Sequence, residues 1–137
     1  MIKYSINDLY AGQCHEETFV VSEDTGRKFA DISLDYNPIH LDQKAASESR
    51  FGKKIVHGML IGSYFSGIIG NKFPGAGSVY ISQNIMFRRP VYYDTPIVVK
   101  VEVKDIDLNR NHVFLKTQCF DREGVLLVDG EAKILYQ

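Results

Sequence analysis

Between positions 35 and 42 the chain reads DYNPIHLD, which sets a carboxylate, Asp35, and an imidazole, His40, five positions apart with the amide of Asn37 between them. A carboxylate beside an imidazole orients it and raises its basicity, while partial burial raises the carboxylate's own pKa, so such a pair can trade a proton near neutral pH. Pro38 fixes its own φ and pushes Asn37 towards extended backbone. A helix arriving at Asp35 must therefore stop there, and the chain turns out with Asp35 and His40 facing each other across a stiff loop. The same residue types also build ordinary capped turns that leave a histidine in solvent, so the string alone leaves both readings open.

The neighbouring residues offer a second chemistry. His40-Leu41-Asp42 is an HxD, and His112 lies downstream, which together are the raw material of a two-histidine, one-carboxylate iron site. Such sites carry the HxD on a strand, whereas here a proline precedes it and Asp42 is placed to cap a helix, so no metal is expected. His57 is expected to cap or pack beside a helix start, and His15 and His112 to be ordinary surface histidines. Tyr92 and Tyr93 receive no role. Cys14 and Cys119 are far apart and lack a CxxC, which predicts free thiols.

These side chains need elements to hold them. A strand is expected over 17–21, and Ser22 can cap a helix from Glu23 that carries Phe29, Ile32 and Ser33 towards Asp35. Asp42 can cap a short helix over 43–50. The segment HGMLIGSYFSGIIG (57–70) places Gly58, Gly62, Ser66 and Gly70 four apart on one helical face, with apolar residues over most of the rest. So apolar a helix is buried, and its glycines ask for the close approach of another backbone or of a ligand. From residue 79 onward the pattern changes to strands over 79–87, 97–107, 112–120 and 125–136, several alternating apolar with polar residues. Together these predict an α+β fold in which an antiparallel sheet curls around a central buried helix.

At 137 residues the chain is expected to form one domain across 1–137, and its formal charge of -1 offers no field for nucleic acid or an anionic membrane. The start, MIKYSINDLYAGQ, lacks a basic end followed by an apolar run, and no stretch approaches a membrane span, so a cytoplasmic location is expected.

The run from Ser33 through His40 to Ala46, then Ile55-Val56-His57-Gly58-Met59-Leu60, Phe65-Ser66-Gly67, Gly77-Ser78-Val79-Tyr80 and Phe87-Arg88-Arg89-Pro90-Val91 resembles, in order and spacing, the MaoC-like (R)-specific enoyl-CoA hydratases, a hot-dog-fold family. The resemblance implies that Asp35 and His40 hold and activate one water, that Asn37 fixes the loop or the ligand, that Ser66 adds a hydrogen bond in the same site, and that the amide of Gly58 meets the thioester oxygen. The implied reaction is reversible hydration of a trans-2-enoyl-CoA to the (3R)-3-hydroxyacyl-CoA, with no cofactor beyond the coenzyme A of the substrate. Which of Asp35 and His40 is base and which acid stays open. Arg88 and Arg89 could grip the phosphates or pantetheine of coenzyme A, or form a solvated pair at a strand end. The resemblance equally admits a dehydratase acting on acyl carrier protein, and a non-catalytic acyl-CoA-binding module. Support for the module is a departure: Leu34 stands where the family usually has glycine, adding bulk and removing access to positive φ. Pairing into a homodimer is also implied, and the long strands would otherwise leave an exposed edge.

Overall fold

The computed structural model describes residues 4–137. Met1, Ile2 and Lys3, where the reading of the chain start begins, lie outside the described residues. The strands are β1 (Cys14–Val20), β2 (Ser78–Phe87), β3 (Pro96–Asp107), β4 (His112–Asp121) and β5 (Leu126–Tyr136). They form one antiparallel sheet of order β1-β3-β4-β5-β2, so β1 and β2 are its edges. Alternation dictates the faces. Ile97, Val99, Val101 and Val103 of β3, and Val113, Leu115, Thr117 and Cys119 of β4, are all buried, and their neighbours along each strand are not. Register shifts at Tyr80/Ser82, Val103/Asp105 and Cys119/Phe120 bend the sheet locally.

Helix α1 (Glu23–Ser33) begins as its sequence predicts, with Ser22 Oγ accepting from the Thr25 amide at 3.1 Å. Two short helices follow, α2 (Pro38–Leu41) and α3 (Gln43–Ser47). The expected 43–50 helix ends early because Ser47 Oγ donates to Lys44 O and Ser49 Oγ to Ala46 O, which close the chain into a turn. Helix α4 (Gly58–Asn71) is the central one. Its Leu60, Ile61, Phe65, Ile68 and Ile69 are buried in one cluster with the inward residues of β3, β4 and β5. Burying each such side chain contributes about 1.5–3 kcal/mol. The α+β architecture, a sheet around one buried helix, is as expected.

The structure also answers what the glycines are for. A Cβ on Gly58 would lie 2.7 Å from the Phe87 ring, and one on Gly62 would lie 3.1 Å from Ile85 Cδ1. The close approach is by β2 side chains. Gly70 meets nothing within 4 Å, so packing accounts for only part of the stripe; Gly67, off the stripe, meets nothing either.

Candidate active site

The end of α1 is built residue by residue from local hydrogen bonds. Leu34 caps the helix in the left-handed region (φ 65°, ψ 19°), its amide bonding Ala30 O at 2.8 Å. The expectation that leucine closes off positive φ is thus corrected. The helix ends with the geometry a glycine would give, and Leu34 bears the steric strain because its side chain, 72% exposed, has nowhere to clash. Ser33 Oγ donates to Phe29 O and accepts from the Asp35 amide at 3.2 Å. Asp35 Oδ1 accepts from the Asn37 amide at 3.1 Å, and Asn37 Oδ1 caps α2 by accepting from the Ile39 amide at 3.2 Å. Pro38 is at the helix start, where its fixed φ is pre-organised and no amide is needed. His40 therefore stands on a helical turn, where the sequence suggests only a loop. Asp42 caps α3 through the Lys44 and Ala45 amides.

This chain of caps brings Asp35 Oδ2 to 3.9 Å from His40 Nε2, too far for a direct hydrogen bond. Asp35 is 48% exposed at its side chain and His40 is 11% exposed, so the partial burial anticipated for the carboxylate falls on the imidazole instead. His40 Nδ1 lies 2.8 Å from Ile55 O. A carbonyl only accepts, so Nδ1 carries the proton and Nε2 keeps its lone pair towards Asp35. Burial holds His40 below the ordinary histidine range; the Ile55 carbonyl opposes this, His57 adds to the lowering, and the Asp35 carboxylate opposes it least. The rise in basicity expected from the carboxylate is thus overridden by desolvation.

His57 packs beside the start of α4, as expected, though its side chain makes no cap bond. It is 1% exposed, donates from Nε2 to Asp35 O at 3.0 Å and stacks on His40 with centroids 3.9 Å apart at 25°. Its Nδ1 is buried without a partner. Tyr93 Oη donates to His40 O at 3.0 Å. Neither contact is visible in the sequence, because each joins distant segments with no spacing rule.

Asp35, His40, Arg50, His57, Gly58, Phe87, Arg88 and Arg89 line one cavity of about 560 Å³, of ordinary ligand-site size. Arg88 pairs with Asp129 at 3.4 Å and sits in the cavity wall with Arg89. Arg50 is an addition the sequence reading missed. Asn37 does not line this cavity; its Oδ1 is taken up by the cap of α2. Ser66 is also elsewhere. It lines a neighbouring groove with Phe29, Met59, Gly62 and Gln83, because eight residues of helix carry it about 12 Å beyond Gly58. Met59 is common to both linings.

The iron-site reading does not match this arrangement. Asp42 is engaged in its cap, His112 opens β4 and, like His15, is half-buried and apart from the cavity. Among the described residues, Asp35, His40 and His57 are the group whose candidate ligand atoms fall within 4.8 Å of one another. The two imidazoles are stacked nearly parallel, so their in-plane lone pairs run side by side and do not converge on one ion. Cys14 is exposed, Cys119 is buried, and both are free thiols.

Comparison with known proteins places this arrangement. The (R)-specific enoyl-CoA hydratase of Aeromonas caviae is 41% identical over 77% of this chain and 79% of its own length. The mitochondrial 3-hydroxyacyl-[acyl-carrier-protein] dehydratase of Arabidopsis thaliana is 39% identical over 90% of this chain and 75% of its own. The solved (R)-hydratase from A. caviae superposes with a TM-score of 0.92 at 35% identity, covering 95% of this chain and 98% of that one, and gives the fold as a hot dog. A family model described as "MaoC like domain" matches residues 11–120. With the cap-built Asp35–His40 pair, the central glycine-bearing helix and these likenesses together, the chain belongs to the MaoC-like domain family.

Proposed function

We propose that this chain is an (R)-specific enoyl-CoA hydratase, a hydro-lyase adding water to trans-2-enoyl-CoA to give (3R)-3-hydroxyacyl-CoA. The observation that carries the reading is the free Nε2 of His40, held as an acceptor by the Nδ1 bond to Ile55 O and set 3.9 Å from Asp35 Oδ2. One water fits between them, accepting nothing and donating to both. His40 takes its proton as the hydroxyl joins Cβ, and the electron pair of the double bond moves towards the thioester oxygen. The amide of Gly58, in the first turn of α4, faces that developing charge. The imidazolium, steadied by Asp35, then returns its proton to Cα on the same face. Asn37 keeps the loop in register, and Arg88 and Arg89 meet the carrier's phosphates. Coenzyme A enters as part of the substrate, and the chemistry asks for no further cofactor.

The likeness to an acyl-carrier-protein dehydratase supports a second reading, with the same pair acting in the reverse direction on a protein-borne acyl group. The non-catalytic module loses its ground, because Leu34 reproduces the glycine cap. The reading includes one domain across 1–137, a homodimer and a cytoplasmic setting; no helix of the described residues is long and apolar enough to cross a membrane.

The test follows the loss of enoyl-thioester absorbance with crotonyl-CoA and its carrier-protein counterpart. Asp35→Asn and His40→Gln each lower kcat by about 10²–10⁴. Undiminished turnover in the double variant would overturn the assignment.

A further inference from the structure

The proposed chemistry gives no part to His57, although its imidazole is 1% exposed and lines the catalytic cavity. Asp35 O accepts from its Nε2 at 3.0 Å, so that nitrogen carries the proton, and Nδ1 is an acceptor buried without a partner. The ring stacks on His40 at 3.9 Å and 25°, and Phe29 packs against it at 5.0 Å and 60°. An orphaned buried acceptor is a cost that a phenyl ring in the same place would avoid. A phenyl ring, however, has no donor for Asp35 O, and a glutamine amide has a donor but no aromatic face. Imidazole supplies both, and the orphan nitrogen comes with it.

Both contacts bear on the reacting atoms. Asp35 is tied at its amide by Ser33 Oγ, at Oδ1 by the Asn37 amide and at its carbonyl by His57, and Oδ2 is the oxygen that faces His40. His40 is tied at Nδ1 by Ile55 O and at its own carbonyl by Tyr93 Oη. A single bond at Nδ1 fixes a point and leaves the plane of the ring free to turn; the stack on His57 removes that freedom. We propose that His57 is a positioning residue for the Asp35–His40 pair, holding the Asp35 main chain with Nε2–H and the plane of the His40 imidazole with its ring, so that Oδ2 and Nε2 keep their 3.9 Å separation. The inference rests on the hydratase reading and deepens it.

The stack also has an electrostatic side. The titratable and charged groups around the two rings are Asp35 and Tyr93, with Arg50, Arg88 and Arg89 also on the cavity lining. Burial lowers the His40 pKa most, the Ile55 carbonyl opposes it, and His57 adds to the lowering. His57→Phe keeps the burial and removes the second imidazole, so the His40 midpoint moves up.

The experiment combines steady-state hydration of crotonyl-CoA with an NMR titration of the His40 ring, assigned by its loss in His40→Gln, for wild type, His57→Phe and His57→Gln. His57→Phe lowers kcat at least about tenfold while KM changes less than about threefold, and His57→Gln, which still donates to Asp35 O, regains at least about threefold of that loss. In His57→Phe the His40 midpoint rises by at least about 0.3 pH unit, and the acid limb of kcat/KM follows it. Undiminished kcat in a folded His57→Phe protein overturns the assignment, and so does an unmoved His40 midpoint, which is what a packing role alone would leave. Should His57→Phe not fold, His57→Gln carries the same test, with kcat at least about threefold below wild type and a raised midpoint. The titration needs no turnover and so keeps the two readings apart: a raised midpoint in a protein that does not hydrate crotonyl-CoA sinks the hydratase alone, and normal turnover with an unmoved midpoint sinks the positioning role alone.

Discussion

Leu34 and His40 are held in states their residue types resist. A non-glycine residue in the left-handed region costs about 1–2 kcal/mol, offset in part by the greater chain entropy a glycine loses on folding. Leu34→Gly therefore raises stability by about 0.5–1 kcal/mol, read as a higher urea midpoint at unchanged m-value. His40 has the opposite debt, to solvent. Its folded pKa lies below the unfolded one, so the unfolded chain binds more protons and stability rises with pH. That loss begins below the unfolded histidine value of about 6.5 and is complete below the folded one. Urea unfolding at about pH 7.5 and about pH 5.5 should show a smaller drop for His40→Gln than for the wild type. The rate of the proposed reaction falls on the same acid side, as Nε2 fills. The identities of Asp35 and His40 as a pair were legible from type and spacing. The partner of Nδ1 was not, since Ile55 contributes only a main-chain oxygen from 15 residues away.

Among the elements, α4 was the most legible, because its apolar content and four-residue stripe need no tertiary knowledge. What each glycine meets did need it. Gly67, with open space around its missing Cβ, gains about 0.5–1 kcal/mol of stability on replacement by alanine, measurable by thermal or urea unfolding. Gly58→Ala drives its methyl into the Phe87 ring beside the reacting centre, and kcat falls by at least about tenfold while the fold survives. Ser66 lines the neighbouring groove for a related reason. A shared helical face says nothing about which groove lies opposite each turn, and β2 closes on the Gly58 and Gly62 end through Phe87 and Ile85. Strand faces were readable from alternation, as β3 and β4 show, whereas the bulges that bend them carried no signal.

For the whole molecule, the outer strand β2 is the informative edge. Val79, Ile81, Met86 and Phe87 on it, with Met59 beside it in a shared groove, are exposed large hydrophobics. An edge of this composition invites pairing with a second β2. Ile81→Lys should shift the protein towards the monomer, raising the dimer dissociation constant at least about tenfold by analytical ultracentrifugation. An unchanged mass distribution would count against pairing through β2. The order of strands was not legible, since returning β2 to the far side of β5 is a crossover that periodicity cannot express.

Ile55 links these scales. Its amide bonds Ile39 O at 3.2 Å, its oxygen receives His40 Nδ1, and it bridges Tyr92 across the cavity wall. The choice of imidazole tautomer is thereby written in peptide groups that every amino acid but proline supplies. Mutational drift at position 55 can reshape the cavity wall that its side chain lines and still pass the same protonation state to its descendants.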